Sequence, residues 1–118
     1  MSLMRDILDN TKKEIMEKGY IGNNLMAYVG KKRGFSFKMY FMGLKNGELM
    51  VLPIANIKEP RYDQVKYYKK EEVKKFTYST FSARIKIKLR NGGKDCYHTM
   101  RGGDTALDMS KIVAIFNS

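Results

Sequence analysis

The stretch Ala83-Arg84-Ile85-Lys86-Ile87-Lys88-Leu89-Arg90 constrains this chain more than any other. Its residues alternate strictly between apolar and cationic. Successive side chains of a β-strand point to opposite faces, so the pattern predicts a strand wet on one side. Ala83, Ile85, Ile87 and Leu89 then line a core, and Arg84, Lys86, Lys88 and Arg90 stand in an outer row about 6–7 Å apart. A helix cannot use this pattern, because its apolar face recurs every three to four residues. Asn91-Gly92-Gly93 follows as a turn, and Lys94 to Met100 reads as the partner strand. A two-residue turn sets Cys96 and His98 with the core, whereas a three-residue turn sets Tyr97 and Thr99 there. Burying the larger ring favours the second.

A second hairpin is signalled upstream. Lys45-Asn46-Gly47-Glu48 carries the Asn-Gly pair suited to the positive φ angles of a type I′ turn. That register sets Lys45 opposite Glu48 and Leu44 opposite Leu49. The flanking strands, from Phe35 to Leu44 and onward from Leu49, are apolar on both faces. Met39, Phe41, Leu52 and Ile54 share one side; Tyr40, Met42, Leu44, Leu49 and Val51 share the other. A strand wet on one side alternates more cleanly, so something must cover the second face, either a helix or a second subunit in a homodimer. Pro53 lacks a ladder donor and belongs at an edge or strand end.

Residues 3–18 supply a candidate cover. Met4, Ile7, Leu8, Thr11 and Ile15 recur at helical spacing, with Ser2 as N-cap and Gly19 beyond the C-terminus. Leu25 to Val29 reads as a short strand, Gly30-Lys31-Lys32-Arg33-Gly34 as a tight basic loop, and residues 54–58 as a brief further strand. Residues 61–75 fit either a helix, with Glu71 and Lys75 paired, or a charged loop entering a strand at Val73. Phe76 to Phe81 reads as strand. Gly102-Gly103 ends the last strand, Asp104 is a helix cap, and Ala106 to Phe116 is a terminal helix. Met109, Ile112, Val113 and Phe116 form its buried stripe, with Asp108 and Lys111 facing water.

Seven short strands closed by one amphipathic helix resemble the pleckstrin-homology superfold. The segment from Tyr28 to Leu49 is similar to that family's opening hairpin: a Gly-x-Lys-Lys element at Gly30-Lys31-Lys32, a basic loop, aromatics, then Leu44-Lys45-Asn46-Gly47-Glu48-Leu49. The resemblance spans roughly residues 24–117. It departs from typical members in lacking a tryptophan in the last helix and in carrying an extra helix first, both features of the divergent bacterial type. It implies a mainly β fold, a bent antiparallel sheet or barrel of about seven strands with a C-terminal helix. It also implies an anion- or lipid-binding site at Lys31, Lys32, Arg33 and Lys38, with Arg90 and Lys94 brought to the same open end.

Charge and length agree with a small binding module. The 118 residues suit one domain, 1–118. The formal net charge is +11, which favours polyanionic partners. Most of the excess lies between Lys58 and Lys94, with twelve Lys/Arg against four Asp/Glu. An anionic membrane surface or an acidic protein is therefore the expected partner. Nucleic acid is the alternative, through Tyr67, Tyr68, Lys69 and Lys70, where aromatics and cations interleave, and through Arg84, Lys86 and Lys88. A homodimer is the third reading. A single cysteine, Cys96, forms no intramolecular disulfide and suits a reducing cytoplasm. With no signal peptide and no transmembrane run, the expected place is the cytoplasm, with peripheral association at the inner face of the membrane.

No catalytic constellation is evident. His98 and Cys96 share a strand face, but a structural zinc site needs four N/S ligands, so no metal and no cofactor is expected. Gly30-Lys31-Lys32-Arg33-Gly34 lacks the strand–loop–helix context and spacing of a nucleotide P-loop. The chain is expected not to be an enzyme.

Overall fold

The computed structural model describes residues 3–100 and 104–118, apart from the side chains of Met4 and Arg33. The expected cap at Ser2 and strand break at Gly102-Gly103 lie outside the described residues. The architecture is mainly β: an eight-stranded antiparallel sheet with a helix near each end of the chain. The order is α1 (Leu3–Glu17), β1 (Met26–Arg33), β2 (Ser36–Lys45), β3 (Glu48–Asn56), β4 (Glu59–Pro60), β5 (Lys66–Tyr68), β6 (Val73–Ser79), β7 (Arg84–Leu89), β8 (Lys94–Thr99) and α2 (Thr105–Phe116).

The alternating stretch forms β7. Ile85 and Ile87 are fully buried, while Arg84, Lys86 and Lys88 are exposed. Ala83 is a correction: its φ of +58° places it in the turn before the strand. The turn after β7 has three residues. Leu89 N donates to Gly93 O, and the ladder resumes with Lys88 opposite Lys94 and Ile85 opposite Tyr97. Tyr97 is therefore buried and Cys96 exposed. The same parity turns Asp95 inward, opposite Ile87.

The Asn46-Gly47 turn forms as its chemistry dictates, with φ of +52° and +79° and Lys45 opposite Glu48. Both faces of β2–β3 are covered. On the outer face Phe41, Met50, Leu52 and Ile54 pack with Leu8 and Ile15 of α1. On the inner face Met42, Leu44, Leu49 and Val51 pack with Met109, Ile112 and Phe116 of α2. The cover over the outer face is thus α1, and no second subunit is needed for it. Gly43 lets α1's following segment approach, since a Cβ there would lie 2.5 Å from Ile21 Cγ2.

The sheet runs β4-β3-β2-β1-β8-β7-β6, with β5 pairing β3 beside β4. A short ladder, Val29 to Thr99 and Gly30 to His98, joins its two halves. Among the described residues no ladder joins β6 to β4 or β5, so the sheet is open, and of the two expected forms, a bent sheet or a barrel, the barrel does not close. Instead α2 lies across the inner face and ties down β1. Asp108 Oδ2 accepts from Met26 N at 3.1 Å and Thr105 Oγ1 from Tyr28 N at 3.3 Å. Asp108 was expected to face water and is buried because that amide needs an acceptor. Asp104 makes no side-chain cap; its carboxylate lies 3.7 Å from the Arg5 guanidinium.

Other boundaries move for identifiable reasons. The basic stretch 30–34 is strand up to Arg33, because β1 and β2 stay paired as far as Arg33 opposite Ser36. Residues 54–56 continue β3. Between 61 and 72 there are two single 3₁₀ turns around β5 rather than a helix, and β6 then begins at Val73, as the loop reading expected. Pro53 sits within β3, opposite Tyr40. Its carbonyl accepts from Arg61 N on the far side. A strand residue's N and O point the same way, so the missing donor faces the gap between β5 and β4.

Candidate functional site

The ladders themselves single out one element. The β1–β8 ladder ends at Gly30, and the β2–β3 ladder begins at Met39. Residues 31–38 therefore pair only with one another, as a two-stranded ribbon extending beyond its neighbours' ladders. Gly34, at φ +56°, and Phe35 close its tip. Phe35 is fully exposed and Phe37 is 53% exposed, and Lys32 and Lys38 are exposed beside them. The Phe37 ring lies over Gly30, where a Cβ would come within 2.4 Å of its Cζ. Exposing a whole phenyl ring forfeits about 1.5–3 kcal/mol of burial.

The ribbon's base is held by charge. Lys31 stands opposite Lys38, and like charges directly opposed repel. Lys31 turns inward instead: its Nζ donates to Asp95 Oδ1 at 2.5 Å and lies 5.0 Å from the Tyr97 ring centroid. Tyr68 Oη donates to the other oxygen, Asp95 Oδ2, at 2.6 Å. Tyr40 packs edge-on against Tyr97, and Lys66 Nζ sits 4.4 Å from the Tyr68 ring centroid. These groups line a cleft of about 190 Å³. Burial alone would push the Asp95 carboxyl up, but the bonds from Lys31 and Tyr68 and the Lys31 charge outweigh it and hold it below the usual carboxylate range. Burial, then the bond to Asp95, pushes the Tyr68 phenol up, so it stays protonated. Both cations of the cleft are already met, by a carboxylate and by a ring.

The residues of the expected anion site divide between the two faces. Lys38 shares the inner side with Lys31, whereas Lys32 lies on the outer side, opposite Phe37. The Arg33 side chain lies outside the described residues. Arg90 is in the β7–β8 turn, where its N donates to Glu72 O. Lys94 is on the outer face of β8, opposite Lys88. Carrying the antiparallel register on from Gly30 and His98 sets Lys94 level with Gly34, so the ribbon tip and the β7–β8 turn lie toward one end of the sheet.

The alternative nucleic-acid set loses its stacking platforms. Tyr68 is 2% exposed. Tyr67 is half-buried, its Oη donating to Tyr20 O at 2.9 Å. Lys69 and Lys70 are exposed around the second 3₁₀ turn, Lys70 bonding to Ser118 O. Arg84, Lys86 and Lys88 face solvent from β7.

Sequence reasoning missed two features. Asp95 is the only acidic residue between Glu72 and Asp104, and at an inward register that isolation was a readable signal for a buried partner. Lys75, paired with Glu71 in the helix reading, stands instead on β6 opposite Lys88, a neighbour that only the observed pairing reveals.

No protein-family model matches the chain, and a search of curated proteins finds no match. Among solved structures it is similar to the C-terminal domain of an unknown protein from Leishmania infantum, with a TM-score of 0.61 at 10% identity, covering 91% of this chain and 94% of that one. The likeness is one of fold. No helix among the described residues is long and apolar enough to cross a membrane.

Proposed function

We propose that this chain is a non-enzymatic, pleckstrin-homology-like module that docks on anionic membrane headgroups through the 31–38 ribbon. The observation that carries the reading is Phe35, a fully exposed ring at the apex of a ribbon whose flanks bear exposed Lys32 and Lys38. An apolar tip with flanking cations matches a surface that is apolar below and anionic at its headgroups. The open sheet, the C-terminal helix across its inner face and the two hairpin tips at one end support the pleckstrin-homology-like reading.

The magnitudes describe a reversible peripheral contact. Burial of the whole Phe35 ring contributes about 1.5–3 kcal/mol, and each of Lys32 and Lys38 near an anionic leaflet about 1 kcal/mol. The total, about 3.5–5 kcal/mol, corresponds to binding near the millimolar range. Lys31 is left out of this sum because Asp95 neutralises it.

Co-sedimentation with phosphatidylserine-containing vesicles tests the reading. The Lys32→Glu/Lys38→Glu variant should stay in the supernatant at salt concentrations where the parent protein pellets, and neither should pellet with uncharged vesicles. Equal pelleting of variant and parent contradicts it.

A further inference from the structure

We infer that the outer face of β6–β8 binds the phosphate backbone of a nucleic-acid helix without reading its bases. The ladders set Lys75 opposite Lys88 and Lys88 opposite Lys94, three lysines abreast across three strands. Neighbouring strands are about 4.8 Å apart, and like charges directly opposed are destabilising. The next rows set Lys86 beside Thr77 and Arg84 beside Ser79. None of these five cations makes an ion pair with a described residue. The nearby acid on β8, Asp95, is turned to the opposite face and bonded to Lys31.

Simple solvation or edge protection does not account for this row. Lysines blunt the exposed edges of sheets, and that suffices for Lys75 on edge strand β6. It does not suffice for Lys86 and Lys88, because β7 is flanked on both sides. Elsewhere the fold relieves opposed charges itself: Lys45 faces Glu48, and Lys31, opposite Lys38, is met by Asp95. Repulsion retained at an interior strand therefore points to an external anion that relieves it.

The chemistry of the face selects the occupant. Its Lys, Arg, Ser and Thr side chains are the groups that contact phosphate oxygens. No phenyl, phenol or indole ring of a described residue stands among them to stack on a splayed base. The one ring on this face is the half-buried imidazole of His98, opposite Arg84, and Tyr78 turns inward, its Oη 3.3 Å from Thr99 Oγ1. Among the described residues no large apolar side chain stands on the strands of this face to enter a bilayer; the exposed Phe81 lies beyond them, in the β6–β7 turn. What fits is a dense, regular array of phosphates with its bases shielded.

Fluorescence anisotropy of a labelled mixed-sequence duplex of about 20 base pairs, titrated with the full chain across a salt series, tests this. Five neutralised phosphates predict a log–log salt slope of about −4 to −5, and K75Q/K88Q/K94Q should make it shallower by about 2.7. Cys96, the sole cysteine, lies exposed on the same face opposite Lys86, so duplex should slow its alkylation by iodoacetamide. Replacing the ribbon's Phe35 by Ser should leave duplex binding unchanged, which separates this site from the membrane reading. No duplex binding at about 50 mM salt, or a slope the triple variant leaves unchanged, overturns the inference. So does a triple variant that loses vesicle binding while duplex binding persists, which would give the row to the membrane.

Discussion

Lys31 and Asp95, 64 residues apart in sequence, form the ion pair that closes the cleft between the two halves of the sheet. Their side chains are 13% and 18% exposed, and the ladder between β1 and β8 is only two residue pairs long. The pair therefore supplements a junction that the backbone secures weakly.

Removing one partner should cost more than removing both. Asp95→Ala leaves the Lys31 ammonium unpaired and the Tyr68 hydroxyl without its acceptor, at an expected loss of about 3 kcal/mol. Lys31→Met combined with Asp95→Leu should recover most of that loss. Urea unfolding of the two single variants and the double variant measures the coupling, and additive losses would show that the pair does not act as a unit.

The same carboxylate predicts an acid limb. Its folded pKa is held below the ordinary value, so its contribution is complete above the unfolded pKa near 3.9 and disappears as pH falls through the lower folded value. Chemical denaturation between about pH 5 and pH 2 should show a steeper loss for the parent than for Asp95→Asn. Parallel curves would contradict the assignment.

Asp108 is a structural acceptor rather than a solvent-facing charge. Asp108→Ala leaves Met26 N without its partner, with an expected loss of about 1–3 kcal/mol. Asp108→Asn keeps an acceptor oxygen and should lose less. Hydrogen exchange at the Met26 amide would report the bond directly, and equal protection in Asp108→Ala and parent would refute it.

At Gly43 the prediction is steric. A methyl group there would crowd Ile21 Cγ2 at 2.5 Å and Leu25 O at 3.2 Å. Gly43→Ala should cost about 1–3 kcal/mol, seen as a lower urea midpoint with an unchanged m-value. A neutral result would mean that the segment between α1 and β1 moves freely.

Lys88 should behave in the opposite way. It has a lysine on each side across the strands, so Lys88→Glu should stabilise the fold by roughly 0.2–1 kcal/mol. Raising salt should shrink the gain. A loss of stability at low salt would mean the lysines splay apart without cost.

Much of this fold was legible in the sequence wherever a local rule had one outcome. Alternation fixed β7, the Asn46-Gly47 pair fixed a turn and its register, and helical spacing fixed both amphipathic helices. The two-sided apolar hairpin also announced that it needed a cover. Where local rules had two outcomes, tertiary structure chose. The basic stretch after Gly30 became strand because an equally long partner strand was available. Asp108 became buried because an amide on β1 needed an acceptor. The alternating stretch alone could not reveal the lysine row, since two of its three members lie on neighbouring strands. Nor could composition separate Lys31, which is neutralised, from Lys32, which is exposed one position later.

The most direct test of the membrane reading uses the absence of tryptophan from this chain. Phe35→Trp places a single indole at the ribbon tip, and its emission can be followed as vesicles are added. The reading predicts a blue shift with phosphatidylserine-containing vesicles, reversed by high salt, and none with uncharged vesicles. An emission maximum that stays at its water-exposed position while the protein pellets with anionic vesicles would contradict insertion of the tip.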